Sequence, residues 1–395
     1  MILLDVSHTC HTASQSGIQQ VCRNLFAELS ENHPVLPIVY DPYAKRFREL
    51  DLNEQSLLKL EKGKLANNGR GSKWSFKQKL RGRFIRFKSN DFFALHGEVD
   101  AILAPEILSP KIPIEAYLSL KAKTGGKLLA VFHDAIALRM PKITPKKTVE
   151  YFPKYLTNLA KFDAIAAVSQ SSKDDLLHFW KELRIEETPS VSSIPLGINL
   201  PDLAKPIDVP EPQEEIVDHK VLFVGSVEGR KNHLEALKAA EALWKQNHSF
   251  ELTLVGGSVQ ETASGALKLI KELIAAGRPL NWLGPVDDET LAKAYEECTF
   301  TLYPSLFEGF GLPPLESISY GKPCVCSDQG GLVDTVQDGG CHVINGTSSH
   351  DIAIALRKIF ENSELYRDLL SQAKDRPVRT WKQYSENVHQ WLVNC

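Results

Sequence analysis

The sequence predicts an α/β protein made of two doubly wound domains facing a central cleft. Three observations carry that expectation. The chain has 395 residues, too many for one comfortable hydrophobic core. Short apolar runs alternate with helical periodicity through both halves, as parallel strands covered by helices require. The rhythm stops once, near residue 201, where PDLAKPIDVPEPQEEIVDHK holds four prolines and six acids and suits neither element.

The first domain, 1–200, opens with a buried strand at Ile2 to Val6. A helix from Gly17 to Leu29 follows, with apolar Ile18, Val21, Leu25, Phe26 and Leu29 at helical spacing. A loop with Ser14, Ser16 and Gly17 joins them. Further strands are expected at Val35 to Tyr40, Ala101 to Ala104, Lys127 to Phe132 and Ala164 to Val168. A linker over 201–219 leads to the second domain, 220–375. Its strands are expected at Val221 to Val224, Glu251 to Val255, Asn281 to Leu283 and Phe300 to Tyr303. Its helices are expected at Asn232 to Gln246, Ser264 to Ala276 and Asp288 to Glu297. In the tail, 376–395, Trp381, Tyr384, Val388 and Trp391 mark a helix set off by Pro377, able to pack back on the first domain.

With 43% hydrophobic and 24% charged residues, the chain has the profile of a globular enzyme rather than a disordered one. A net charge of -3 argues against general attraction to nucleic acid. No run of eighteen apolar residues occurs, and MILLDVSHTC lacks the flanks of a signal peptide, so a cytoplasmic location is expected. The seven cysteines include no CxxC pair, which indicates neither a disulfide framework nor a zinc site. Cys324 and Cys326 read as small buried residues of a strand. One segment stands out: from Lys62 to Asn90 there are ten cations and no acid, interleaved with Trp74, Phe76, Phe84 and Phe87.

Two motifs carry chemistry. In GSVEGRKNHLEAL, Gly225 to Leu237, a strand ends in glycine and Arg230 and Lys231 arrive as Asn232 offers to cap a helix. Helix amides and two cations at the carboxyl edge of a sheet suit a phosphate, although such a pair alone reads equally as a solvated face. In SLFEGFGLPPLESISYGKP, residues 305–323, Gly309 and Gly311 let the backbone approach a ligand. Pro313 and Pro314 suit the first turn of a helix and Gly321 its end. Glu308 then lies on the loop and Glu316 in the helix, where each ionised carboxylate can accept two hydroxyl hydrogen bonds. His133 follows the strand Lys127 to Phe132 at its carboxyl end, a place for a ligand contact or for a structural histidine.

The E-x7-E spacing within FEGFGLPPLE, the GSxExRKN stretch, and the VSQSSKDDL and IPLGIN segments resemble the retaining glycosyltransferases of family 4, which have the GT-B fold of two Rossmann-like domains. The resemblance runs in order over most of the chain. It implies that Arg230 and Lys231, after Gly225 and Ser226, bind the diphosphate of a nucleotide sugar. Glu316 would hold the ribose hydroxyls, and Glu308, with the amides of Gly309, Phe310, Gly311 and Leu312, would face the donor sugar. Gly17 would approach the diphosphate from the first, acceptor-side domain. His133 would lie near the reacting sugar, with Asp134 its neighbour on the acceptor side. His133, Glu308, Arg230 and Lys231 are thus the expected catalytic set. At Ser226 one branch of the family carries a further arginine.

The implied reaction moves a sugar, GDP-mannose or similar being the donor, to a hydroxyl of a glycan or lipid-linked acceptor with retained configuration. It belongs to polysaccharide or glycoconjugate biosynthesis. No DxD-type motif stands where a donor would bind, so neither metal nor cofactor is expected. The basic, aromatic stretch 73–88 could lie on the anionic inner face of a membrane. A non-catalytic sugar-binding or scaffold subunit remains an alternative. A dinucleotide-dependent oxidoreductase is disfavoured, because the first loop, SHTCHTASQSGIQQV, holds a single glycine where GxGxxG is required.

Overall fold

The computed structural model describes residues 1–14, 16–60, 74–86, 97–201 and 219–395. It divides into two compact units.

The first comprises Met1–Asp134, Tyr151–Gly197 and Trp381–Cys395. Its strands are β1 (Ile2–Asp5), β2 (Val35–Asp41), β3 (Arg46–Glu49), β4 (Ala101–Ala104), β5 (Lys127–Phe132), β6 (Ala164–Ala167) and β7 (Ser190–Ser193). They form one sheet in the order β3-β2-β1-β4-β5-β6-β7. Every pairing is parallel except β2 with β3. All residues of β1, β4 and β6 are buried, which is why they read as unbroken apolar runs. The edge strands β3 and β7, RFRE and SVSS, carry no such run and were not expected. β3 is held instead by Arg48, which is buried and paired with Asp41 at 3.1 Å and Glu54 at 2.7 Å. The helix Trp381–Asn394 belongs to this unit and packs against the helix Gly17–Asn32.

The second unit comprises Ala135–Glu150 and Ile198–Thr380. The expected 1–200 boundary therefore needs one correction: the segment 135–150 groups with the later residues, where Ile143 lies against the backbone of Gly229. The expected linker falls largely on 202–218, outside the described residues. Strands β8 (His219–Val224), β9 (Phe250–Val255), β10 (Leu280–Gly284), β11 (Phe300–Tyr303), β12 (Cys324–Cys326) and β13 (Cys341–Val343) form a wholly parallel sheet ordered β10-β9-β8-β11-β12-β13. Its core joins Phe223, Leu252, Leu254, Phe300 and Leu302 to Ile352 and Leu356.

Each sheet reverses its winding once, between β1 and β4 in the first unit and between β8 and β11 in the second. Loops leaving two such neighbouring strands part to opposite faces and open a crevice at the carboxyl edge. All seven cysteines are free, five of them buried. Among the described residues no helix is long and apolar enough to cross a membrane.

Candidate active site

The loops at the switch point of the second unit are laced together. β8 is followed by Gly225, whose amide donates to the carbonyl of Val255 at 2.8 Å. The chain passes half-buried Ser226 and enters a single 3-10 turn, Gly229–Lys231. The loop after β11 lies beside it, with the amide of Leu306 donating to the carbonyl of Arg230 at 2.7 Å.

The side chains repeat this connection in charge. Glu308 sits between Arg230, which donates to its Oε2, and Lys231, whose Nζ lies 2.6 Å from Oε1. Tyr303 donates its hydroxyl to Glu308 at 3.1 Å and accepts one from Lys231. Arg230 also pairs with Glu228 at 2.9 Å. Two cations thus face two carboxylates. A buried charge without a partner is too costly to keep, and each charge here has one. Glu308 is 6% exposed and Lys231 7%, whereas the Arg230 side chain keeps 26% of its surface. Of the two cations, Arg230 is thus the more exposed. Burial pushes the Glu308 carboxyl up, but Arg230 and Lys231 outweigh it and hold it at about 2. Burial and then Arg230 push the Lys231 ammonium down from its ordinary value.

The expected glycine loop lies against a second one. The amide of Gly331 donates to the carbonyl of Glu308 at 2.7 Å, and a Cβ at Gly331 would overlap the carbonyl of Gly309. Gly330 and Gly331 were missed; a glycine pair directly after a strand, in DQGGLVD, was the signal. Gly309, Phe310 and Gly311 are buried. Gly311 has φ 113° as N-cap of the helix Leu312–Ser319, and a Cβ there would overlap Leu332, so only glycine fits. Leu312 begins the helix, and one turn in, Glu316 accepts a 3.0 Å hydrogen bond from the Tyr295 hydroxyl. Tyr295, buried and stacked on Tyr320 at 4.9 Å, was not anticipated. Asn232 does precede a helix, His233–Lys245, but in a left-handed conformation, its amide donating to the carbonyl of Thr347 at 2.8 Å rather than capping.

Gly17, His133 and Asp134 belong to the first unit. Gly17 is the first residue of its helix, as expected, after N-cap Ser16. His133 directly follows β5; burial holds its imidazole down at about 4. Its Nε2 donates to the carbonyl of Pro105 at 2.7 Å, which leaves Nδ1 as the acceptor of a neutral ring. Asp134 is half-buried beside it. The adjoining residue after β4, Glu106, was missed. It accepts from the amides of His8 and Thr9 at 2.8 Å each and from the Thr9 hydroxyl, so it secures the loop after β1. Among the described residues no cluster of His, Cys, Asp or Glu could hold a metal ion.

Residues 209–376 match the family described as glycosyl transferases group 1. Over 98% of its length the chain is 24% identical to the serotype-specific mannosyltransferase WbdA of Escherichia coli, covering 45% of that protein. Over 54% it is 30% identical to the O-antigen chain mannosyltransferase B of Escherichia coli, covering 56% of it. The chain thus spans about half the length of these curated relatives. In structure it is similar to the sucrose-phosphate synthase of Thermosynechococcus elongatus, with a TM-score of 0.68 at 19% identity over 99% of this chain and 97% of the other. The chain therefore has the GT-B fold, and its residues 209–376 are similar to the glycosyl transferases group 1.

Proposed function

We propose that the chain transfers a sugar from a nucleotide diphosphate donor to a hydroxyl of a glycan or lipid-linked acceptor, in polysaccharide biosynthesis, with retention and without a metal. The observation that carries this reading is the Arg230–Glu308–Lys231 cluster, set at a sheet switch point beside a glycine loop and a helix start. A leaving diphosphate grows more negative as the glycosidic bond breaks. Cations already held in place stabilise that charge without reorganising. Arg230 meets the diphosphate, while Lys231 and Glu308 hold the guanidinium edge in position. A carboxylate shared between two cations is a poor nucleophile. This supports attack by the acceptor hydroxyl on the face the diphosphate leaves, a leaving-group oxygen taking the proton. His133, neutral near pH 7, has Nδ1 to accept a hydrogen bond from a sugar hydroxyl without adding a charge. Glu316, aligned by Tyr295, receives the ribose hydroxyls.

The similarity to WbdA and to mannosyltransferase B supports mannose as the sugar, and GDP-mannose follows as the first donor to test. The sequence has no DxD-type motif, which supports metal independence. A peripheral position at the inner face of a membrane, through the stretch 73–88, belongs to the same reading.

A thermal-shift panel of nucleoside diphosphates and their sugars tests it. A ligand at about a hundredfold its dissociation constant stabilises by roughly 2.7 kcal/mol, and GDP-mannose is expected to do so. No shift with any nucleoside diphosphate would remove the donor site. Donor binding with neither hydrolysis nor transfer would favour the scaffold reading.

A further inference from the structure

The helix Phe76–Ile85 turns Gln78 and Gly82 inward and Phe76, Leu80 and Phe84 to solvent. Ser75 and Gln78 cap it reciprocally, and the Gln78 amide then donates to Asp51 at 3.2 Å and Glu54 at 2.9 Å. Arg81 pairs with Asp51 at 3.1 Å. Gly82 lies so close to Asp41 and Tyr43 that no Cβ would fit. Trp74, just before the helix, stacks on His11 at 4.2 Å with the Arg48 guanidinium 5.5 Å over its ring. These contacts fix the rotation of the helix about its own axis.

That rotation sends Phe76, Leu80 and Phe84 outward. Spaced four apart, they share one stripe, and they are 75%, 41% and 77% exposed. At about 100° per residue, Lys77 falls on one border of the stripe and Lys79 and Arg83 on the other. The stripe is an exposed apolar line edged by cations, and residues 62–90 of the sequence hold ten cations and no acid.

We propose that this face docks on an anionic lipid bilayer, with Phe76, Leu80 and Phe84 entering the headgroup and acyl boundary and Lys77, Lys79 and Arg83 meeting lipid phosphates. A bilayer supplies apolar depth and a negative rim together, which is the complement of this face. A second copy of the chain would bring like charges together. A nucleic acid would leave Leu80, at the centre of the stripe, without a partner. This docking gives the peripheral position proposed above its contact residues, and it rests on this helix rather than on sugar transfer.

Flotation of the full chain with vesicles containing phosphatidylglycerol, or with phosphatidylcholine alone, tests the assignment. Salt-sensitive binding to the first and little to the second is expected. Phe76→Ser with Phe84→Ser should lower partition on the order of tenfold or more. Lys77→Gln, Lys79→Gln and Arg83→Gln should each lower it about fivefold. Because these side chains lie at the surface, melting temperatures should stay unchanged. Equal binding to both vesicles, no binding to either, or partition indifferent to the phenylalanine change would overturn the proposal. So would a dimer, or an RNA complex, that the phenylalanine change dissolves. Vesicle binding needs no donor, so its failure and a failure of sugar transfer are separate results.

Discussion

Glu308 and Glu106 occupy matching places in the two units. Each follows the strand that adjoins the first strand of its sheet across the switch point, β11 beside β8 and β4 beside β1, and they are 6% and 7% exposed. Their charge states nevertheless diverge. Glu308 lies between Arg230 and Lys231, and its carboxyl is held at about 2 against the pull of burial. Glu106 is pushed up to about 7 by burial and then by the Asp5 carboxylate, with the amides of His8 and Thr9 and the Thr9 hydroxyl pulling the other way. Burial alone drives a carboxyl toward its neutral form, and neighbouring cations decide whether it yields. The second unit thus keeps a set of fixed charges at its switch point, suited to a diphosphate. The first keeps a proton-sensitive clasp on a loop.

Breaking the charged set should give the largest effects. Lys231→Ala removes one of the two cations on a buried carboxylate, leaving Oε1 only the Tyr303 hydroxyl, which should destabilise the second unit by about 1.5–3 kcal/mol. It should also lower transfer by on the order of 10²–10³-fold. Urea melts and turnover with donor in excess measure the two losses. Glu308→Gln should reduce transfer by on the order of 10²-fold or more, because Arg230 loses its guide. Normal turnover in both variants would disqualify the cluster as the site.

The double variant Lys231→Met with Glu308→Leu sharpens the contrast. Removing a buried pair together leaves no orphan charge, and such replacements are commonly neutral or stabilising. Its melt should return to within about 1 kcal/mol of the parent, while transfer remains lost. A double variant as unstable as Lys231→Ala would mean that packing, not charge compensation, sets the cost.

The two glutamates should also act on stability in opposite pH windows. For Glu308 the folded value lies below the ordinary 4.5. Its contribution is present above pH 4.5 and is lost as the pH falls toward 2, on the order of 3 kcal/mol in all. For Glu106 the folded value lies above 4.5, so the folded chain keeps a proton that the unfolded chain has released. Stability then falls as the pH rises from 4.5 through 7, again by on the order of 3 kcal/mol. Denaturant midpoints taken across this range, with Glu106→Gln flattening the near-neutral slope, check both signs. An unchanged slope in that variant would show that Glu106 carries no proton in the folded state.

Legibility in the sequence followed the same physics. Strands such as Ala101 to Ala104 and Lys127 to Phe132 could be read from their residues because parallel strands buried on both faces must be apolar throughout. β3 could not, since its burial depends on Arg48 finding Asp41 and Glu54 elsewhere in the chain. The GSVEGRKN and FEGFG segments stood out through their glycines and charges. Their mutual neutralisation was hidden, because Arg230 and Glu308 stand 78 residues apart and meet only when β8 and β11 pair. Glu106 gave still less away: a single acid after Pro105 has no period and no motif around it, and its role appears only when the turn after β1 folds over it.

The smallest effect belongs to Tyr295, and it separates holding a ligand from holding a charge. Its hydroxyl donates to Glu316 at 3.0 Å from a buried ring, and Tyr295→Phe removes that bond while keeping the stack on Tyr320. A hydrogen bond to a charged group contributes about 1.5–3 kcal/mol, but half-buried Glu316 can recover part of it from water, so a loss of about 1 kcal/mol is expected. If Glu316 holds the ribose, the loss should appear as a donor KM raised about fivefold with kcat little changed, since both ground and transition states use that contact. A fall in kcat at constant KM would instead place Glu316 among the groups that act on the breaking bond. That result would move it from the ribose to the side of Glu308 in the comparison.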